Sequence, residues 1–317
     1  MGIAVRLNRF FVLLACLFVG ALASAAGAGA QVGFGLADYE ARNFSDPRVG
    51  ELGIHLARDV VPWDVALRKS GRIGMSEWLK AARAHRLIPF ITFESASNGH
   101  RAPSPGQYLH AFLAFRKLYP WVKEFSPWDE ANHSSQPIYR NPHLGAEYYD
   151  ELAAHCSGCL VTAPDLLDSD ANFERWALEF AHYAHPYPKV WPFNPYTSVS
   201  VNSSSRIEQM LSAVRGQIWF SEVGGVVWWK FRGRLIYHGP AYAARVTHTI
   251  FDLARLSPRI DRIYYYHWRS PGIPGHAPHK ARWDSGLIDP YGKARPALWV
   301  VAELLRRHIQ GTIPRVF

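Results

Sequence analysis

The sequence predicts an α/β chain folded as a single (β/α)8 barrel. Three observations carry the prediction. Short apolar runs alternate with amphipathic stretches, as repeated βα units require. Eight such pairs fit into residues 31–317, against the roughly 250 residues that a barrel of this kind needs. The competing open, doubly wound sheet announces itself with a glycine-rich turn after the first strand. Here Gly33-Phe34-Gly35 lies inside the first apolar run and has no third glycine at the right offset.

The pairs are read in chain order. Strand-like runs occupy 32–37, 55–60, 87–93, 124–128, 160–163, 190–193, 218–221 and 263–267. Helical stretches follow them at 46–52, 76–85, 104–119, 143–155, 172–185, 204–214, 241–256 and 294–307. Ser104-Pro105 supplies a cap and a first-turn proline to the third helix, and Asn141-Pro142 does the same for the fourth. No linker, repeat or low-complexity tract divides residues 31–317, so they are read as one domain. The long βα loops are 95–105, 226–239 and 270–284.

The first 30 residues differ from the rest. Arg6 and Arg9 precede an apolar run from Phe10 to Ala23, and small residues follow. This is the pattern of a secretory signal peptide, with Ala28-Gly29-Ala30 or Ala23-Ser24-Ala25 as the cleavage site. The apolar core falls short of the roughly 20 residues of a spanning helix. The expectation is a secreted or cell-surface monomer with no stable membrane insertion after cleavage.

At 48% hydrophobic and 19% charged, the composition excludes disordered, collagenous and coiled-coil classes. The net charge is +9. Its basic residues are dispersed, with no stripe or motif for nucleic acid. Cys156 and Cys159 stand as Cys-Ser-Gly-Cys with no second pair to complete a zinc site. They follow a helix rather than open one, which argues against redox catalysis and for a local disulfide. His182 and His185 read as a solvated helix face, not metal ligands.

In a barrel the reactive groups gather at the carboxyl ends of the strands. Two glutamates stand there, Glu130 after the fourth strand and Glu222 after the seventh, on staves that face one mouth. Paired carboxylates are what glycoside hydrolysis requires, one protonated to expel the leaving oxygen and one ionised to attack. Arg58 on the second strand provides a positive charge that favours an ionised carboxylate. Glu94, Asp129 and Asn194 are further polar strand-end groups. The rim aromatics Trp63, Trp128, Tyr196, Tyr266 and Trp268 offer flat faces to a sugar and polar tips to its hydroxyls.

Across essentially all of 31–317, this set resembles clan A of the retaining glycoside hydrolases, in particular small secreted bacterial relatives of family 39. Trp128-Asp129-Glu130-Ala131-Asn132 resembles the clan's Trp-Asn-Glu-Pro-Asn, whose glutamate is the acid/base. Trp219-Phe220-Ser221-Glu222-Val223-Gly224 resembles its Trp-x-x-Glu-x-Gly, whose glutamate is the nucleophile. Arg58, Tyr196 and Trp268 resemble the clan's strand-two arginine, strand-six tyrosine and the strand-eight tryptophan that floors the sugar site. Gly286-Leu287-Ile288-Asp289 with Lys293 and Pro296 resembles its closing segment. The resemblance implies double displacement on a poly- or oligosaccharide, without metal or cofactor. The departures are Asp129 in place of the clan's asparagine, Ala131 in place of proline, and Asn194 where many relatives carry histidine. Asp129 keeps open a second class of function, a degenerate barrel that binds glycan without cleaving it.

Overall fold

A computed structural model describes residues 32–96, 101–272 and 282–306. The leader read in residues 1–30 lies outside the described residues, as do parts of the loops 95–105 and 270–284.

The main sheet contains β1 (Gly33–Ala37), β2 (Leu56–Pro62), β3 (Ile88–Glu94), β4 (Glu124–Ser126), β5 (Leu160–Val161), β6 (Leu166–Leu167), β7 (Val190–Asn194), β8 (Gln217–Val223) and β11 (Ile260–Tyr265). All neighbours are parallel, in the order β5-β4-β3-β2-β1-β11-β8-β7-β6. Segment 160–167 is one stave in two halves. β5 pairs with β4, and β6 pairs with β7. Between them, Thr162 N–H donates to the Phe125 carbonyl and Ala163 N–H to the Val190 carbonyl, both at 2.9 Å. That segment closes the ring, so the sheet is the eight-stave barrel the sequence predicts, with helices between the staves.

Side-chain alternation sorts the two faces. Phe90, Trp219 and Tyr264 meet inside the barrel. Their neighbours Ile91, Phe220, Ile263 and Tyr265 point outward into the helix layer and form the main core. The helices are α1 (Pro47–Glu51), α2 (Lys69–Ala84), α3 (Pro105–Leu118), α4 (Pro142–His155), α5 (Phe173–Tyr183), α6 (Tyr196–Val201), α7 (Ser205–Ala213), α8 (Pro240–Ala254) and α9 (Pro296–Leu304). The capping expectation for the third helix is met in full. The Ser104 hydroxyl accepts from Gln107 N–H, and the Gln107 side chain accepts from Ser104 N–H. Among the described residues no helix is long and apolar enough to cross a membrane.

Several boundaries differ from the sequence reading. α2 begins at Lys69 rather than at 76, because Gly71 and Gly74 belong to it. Gly71 is there for a close approach, since a β-carbon would run into the Val65 carbonyl. The fourth strand ends at Ser126, which leaves Trp128 beyond it and Asp129 and Glu130 in a turn. The loop 226–239 holds a hairpin of β9 (Trp228–Phe231) and β10 (Arg234–Tyr237), joined by β12 (Trp283–Asp284) into a small antiparallel sheet. Its two-residue turn, Arg232-Gly233, has positive φ at both positions, the geometry of a tight hairpin. Cys156 and Cys159 are disulfide-bonded at the end of α4.

Candidate active site

Arg58 organises the barrel mouth. It projects from β2 and is 1% exposed. Its Nε donates to Thr92 Oγ1 at 3.1 Å. Nη1 donates to Glu222 Oε2 at 2.8 Å, while Nη2 reaches Asp129 Oδ1 at 2.5 Å and Asp165 Oδ1 at 2.7 Å. Burial works against the charged guanidinium, but Asp165, Asp129 and Glu222 outweigh it and raise its pKa. A planar fork of five donors suits one cation serving three carboxylates.

Glu222, near the end of β8, accepts from Arg58 on one oxygen and from the Tyr196 hydroxyl on the other, at 3.2 Å. Burial and the charge of Glu222 push the Tyr196 phenol far up, so it stays a donor. Glu130 sits in the turn after β4 with φ of +42°, a conformation that costs a non-glycine residue free energy and recurs at functional sites. Its Oε1 accepts from Asn194 Nδ2 at 3.4 Å, and Asn194 is held by the Ser221 hydroxyl at 2.9 Å.

Burial, then the negative charge of Glu222, lifts Glu130 to about 8; the Asn194 bond and Arg58 oppose this. Glu130 is therefore mainly protonated at neutral pH. Glu222 has the contacts of an ionised carboxylate, with a guanidinium on one oxygen and a phenol on the other. A carboxyl kept neutral beside one braced by donors is an arrangement able to serve acid and nucleophile chemistry. Asp129 is also raised well above its ordinary value, by burial first and by Glu130, Asp165 and Glu222, with Arg58 pulling the other way.

These groups open on a cleft of about 1020 Å³. Of the residues picked out from sequence, Arg58, Glu94, Asp129, Glu130, Tyr196, Glu222 and Tyr266 line it. Asn194 lies just beneath, fully buried, and touches Glu130.

Three tryptophans expected at the sugar site are elsewhere. Trp63 packs half-buried against the hydrophobic core. Trp128 is 0% exposed; its ring stacks on Tyr148 at 5.4 Å, and its Nε1 donates to Gln136. The strand ends before Trp128, so the period-two rule that would aim it inward no longer applies. Trp268 is also 0% exposed. Its backbone N–H donates to Asp38 and its Nε1 to Asp46, the N-cap of α1. β11 ends at Tyr265, so Tyr266 is the last side chain of that stave aimed into the mouth.

The cleft also holds residues that the sequence reading missed. Trp229 and Phe231 come from the hairpin and Trp283 from β12. Asp38 and Asp59 come from the first two staves. Asp165 was missed because the fifth stave was expected to stop at 163. The Thr-Ala-Pro-Asp run that carries it is in the sequence, but its return to the barrel is not. Among the described residues no His, Cys, Asp and Glu group is disposed to hold a metal ion. His182 and His185 are exposed, and His185 lies beyond the end of α5.

The closing segment is tied to the site from behind. Asp284 accepts two bonds from the Arg295 guanidinium and lies 3.7 Å from His267 Nε2. Burial opposes its charge, yet His267 and Arg295 hold it well below the usual carboxylate range. Asp289 ties the next turn by accepting from the Tyr291 and Lys293 amides.

No family model matches the chain, and no curated protein does. Solved structures do match in fold. Xylanase 10B from Thermotoga maritima is 13% identical, covering 88% of this chain and 96% of that one, with a TM-score of 0.62. A GH5_18 variant from Streptomyces cattleya, solved in complex with Manβ1-4GlcNAc, is 14% identical, covering 90% and 83%, with a TM-score of 0.63. A GH113 β-1,4-mannanase is 12% identical, covering 87% and 99%, with a TM-score of 0.57. At these identities the likeness establishes the (β/α)8 fold, which this chain shares with barrels named as xylanases and mannanases.

Proposed function

We propose that the protein is a secreted, monomeric clan A retaining glycoside hydrolase that cleaves a poly- or oligosaccharide by double displacement. The observation that carries this reading is the pairing of a protonated Glu130 with a Glu222 held by Arg58 and Tyr196 in one cleft. Glu222 attacks the anomeric carbon while Glu130 gives its proton to the departing oxygen. This forms a glycosyl ester on Glu222 and frees the leaving sugar. Glu130, now ionised, takes a proton from water, and the resulting attack releases the second sugar and restores both groups.

Xylan- and mannan-cleaving barrels of the same fold support a β-linked, equatorial backbone as the substrate. Kinship with family 39 rests on the strand-four and strand-seven motifs. The Cys156–Cys159 disulfide fits an oxidising compartment, in agreement with the leader in residues 1–30.

An activated 2-fluoro sugar tests the reading. Mass spectrometry should find one glycosyl group on Glu222, and Glu222→Gln should lower turnover by more than about a thousandfold. Normal turnover in that variant would remove the proposed nucleophile. Asp129 is the observation behind a second reading, a barrel that binds glycan without hydrolysis. That reading predicts tight binding with neither labelling nor product.

A further inference from the structure

We infer that the tip of the β9–β10 hairpin is a distal subsite for an acidic sugar, and that the glycan cleaved here is neutral at the scissile bond and carries a uronic acid a few residues away. The inference deepens the glycosidase reading and rests on it.

An unbroken row of aromatic rings leads from the acid pair to that tip. Tyr196, which donates to Glu222, lies 5.2 Å from Trp283 between ring centres. Trp283 lies 6.2 Å from Trp229, and Trp229 lies 5.5 Å from Phe231. All four line the cleft, and Phe231 at the outer end is 50% exposed. Each step is about the length of one pyranose residue, and sugar rings settle on aromatic faces. A chain held at Glu222 therefore reaches the tip with a residue well removed from the bond being cut.

The register of the hairpin fixes what meets that residue. Trp229 and Phe231 are two apart on β9, so they share the cleft face. Phe231 stands directly opposite Arg234 on β10, as Trp229 stands opposite Trp283 on β12, and opposite residues share a face. Arg234 thus lies on the cleft face beside Phe231. Arg232, in the turn, holds its guanidinium over the Phe231 ring at 5.3 Å. Both arginines are exposed, and among the described residues neither forms an ion pair. No aspartate or glutamate occurs between Glu222 and Asp252. Two guanidinium forks beside one ring, with no carboxylate of the protein to serve, suit the planar carboxylate of a uronic acid.

The centre of the cleft is built the opposite way. A uronate there would meet Glu222, and Arg58 beneath it is already committed to Asp129, Asp165 and Glu222. The acid group is accepted at the tip and rejected at the scissile bond, which fixes where along the chain the cut falls.

Binding calorimetry at neutral pH on the full-length chain tests this. Glu222→Gln is present so that no ligand is consumed, and Glu130→Gln serves as a second inactive background. The probes are hexasaccharides of glucuronoxylan bearing one glucuronate, and the same hexasaccharides with that carboxyl reduced to the alcohol. The acidic form should bind roughly three- to tenfold tighter, the scale of exposed ion pairs, and its advantage should shrink in high salt. Arg232→Gln with Arg234→Gln should bring the two forms to parity. Lys80→Gln with Lys117→Gln removes the same charge from exposed positions in the C-terminal halves of α2 and α3, and should leave the preference as it was. Equal affinities, tighter binding of the reduced form, no binding of either, a preference that survives the arginine pair, or one that falls as far in the lysine control would each overturn the subsite. So would arginine-dependent binding to phosphatidylglycerol vesicles without an acid preference, which would make the tip a membrane contact. Equal affinities together with fluoro sugar labelling of Glu222 in the wild-type chain would leave the glycosidase reading standing without the subsite. An acid preference without labelling would do the reverse.

Discussion

Glu130 and Glu222 are the same residue type within one cleft, yet their surroundings differ. Arg58 and Tyr196 surround Glu222 with donors, whereas Glu130 has one long amide bond and a negative neighbour. The sign of the resulting pH dependence follows. In the proposed mechanism Glu130 acts in its protonated form, so its contribution is present below its pKa and is lost as pH rises through about 8. The alkaline limb of kcat/KM is expected near that value as a property of the coupled pair, and Glu130→Gln should erase it. The same variant should lower kcat a hundred- to ten-thousandfold, roughly, on substrates with poor leaving groups. Activated aryl glycosides need no proton and should lose far less. A pH-rate series on both substrate types checks this. An unshifted alkaline limb in Glu130→Gln would reassign the acid.

At the level of elements, the turn after β8 and the hairpin after it shape the cleft. Gly224 follows β8 directly, and a β-carbon there would run into the Tyr266 carbonyl oxygen. Gly224→Ala should therefore destabilise the fold by about 1–3 kcal/mol, as overpacking does. It should also displace Tyr266, lowering kcat/KM as well as Tm. The β9–β10 hairpin extends the aromatic side of the mouth with Trp229 and Phe231. Among the described residues no hydrogen bond joins Trp229 to the acid pair, so Trp229→Ala should raise KM for oligosaccharides by roughly three- to tenfold with little change in kcat. Steady-state kinetics on a ladder of chain lengths measures it, and a pure loss of kcat would contradict the assignment. The hairpin was partly legible. Two aromatic and aliphatic runs flank Arg232-Gly233, the two-residue pattern of a tight turn, but the segment reads as one long loop unless that pattern is weighed.

For the whole molecule, Arg58 is a crosslink as much as a site residue. Through one side chain it ties β2 to β3 at Thr92, to the turn after β4 at Asp129, to the fifth stave at Asp165 and to β8 at Glu222. Removing it strands three carboxylates in a buried space. Arg58→Ala should cost about 3–5 kcal/mol, the scale for breaking a buried ion pair. Arg58→Lys should fall between, since one ammonium cannot span the fork. Denaturant unfolding of the three proteins gives the order directly, and equal midpoints would show that the network contributes nothing to the barrel.

The alternation of apolar runs and helical periods was enough to specify the barrel, because that periodicity is local and each stave must bury one face inside and one outside. The same periodicity put Glu130, Glu222, Arg58 and Tyr196 at the ends of staves that face one mouth. It could not tell which aromatics would reach that mouth. Trp128 and Trp268 come after strands that each end two residues earlier than the apolar runs suggest, and each turned into the core to reach a distant partner, Gln136 or Asp46. Nor could it bring Asp165 onto Arg58, or Trp229 and Trp283 to the wall of the cleft. Those relations join residues far apart in the chain, and only the closure of the ring sets the distances and burial on which their chemistry depends.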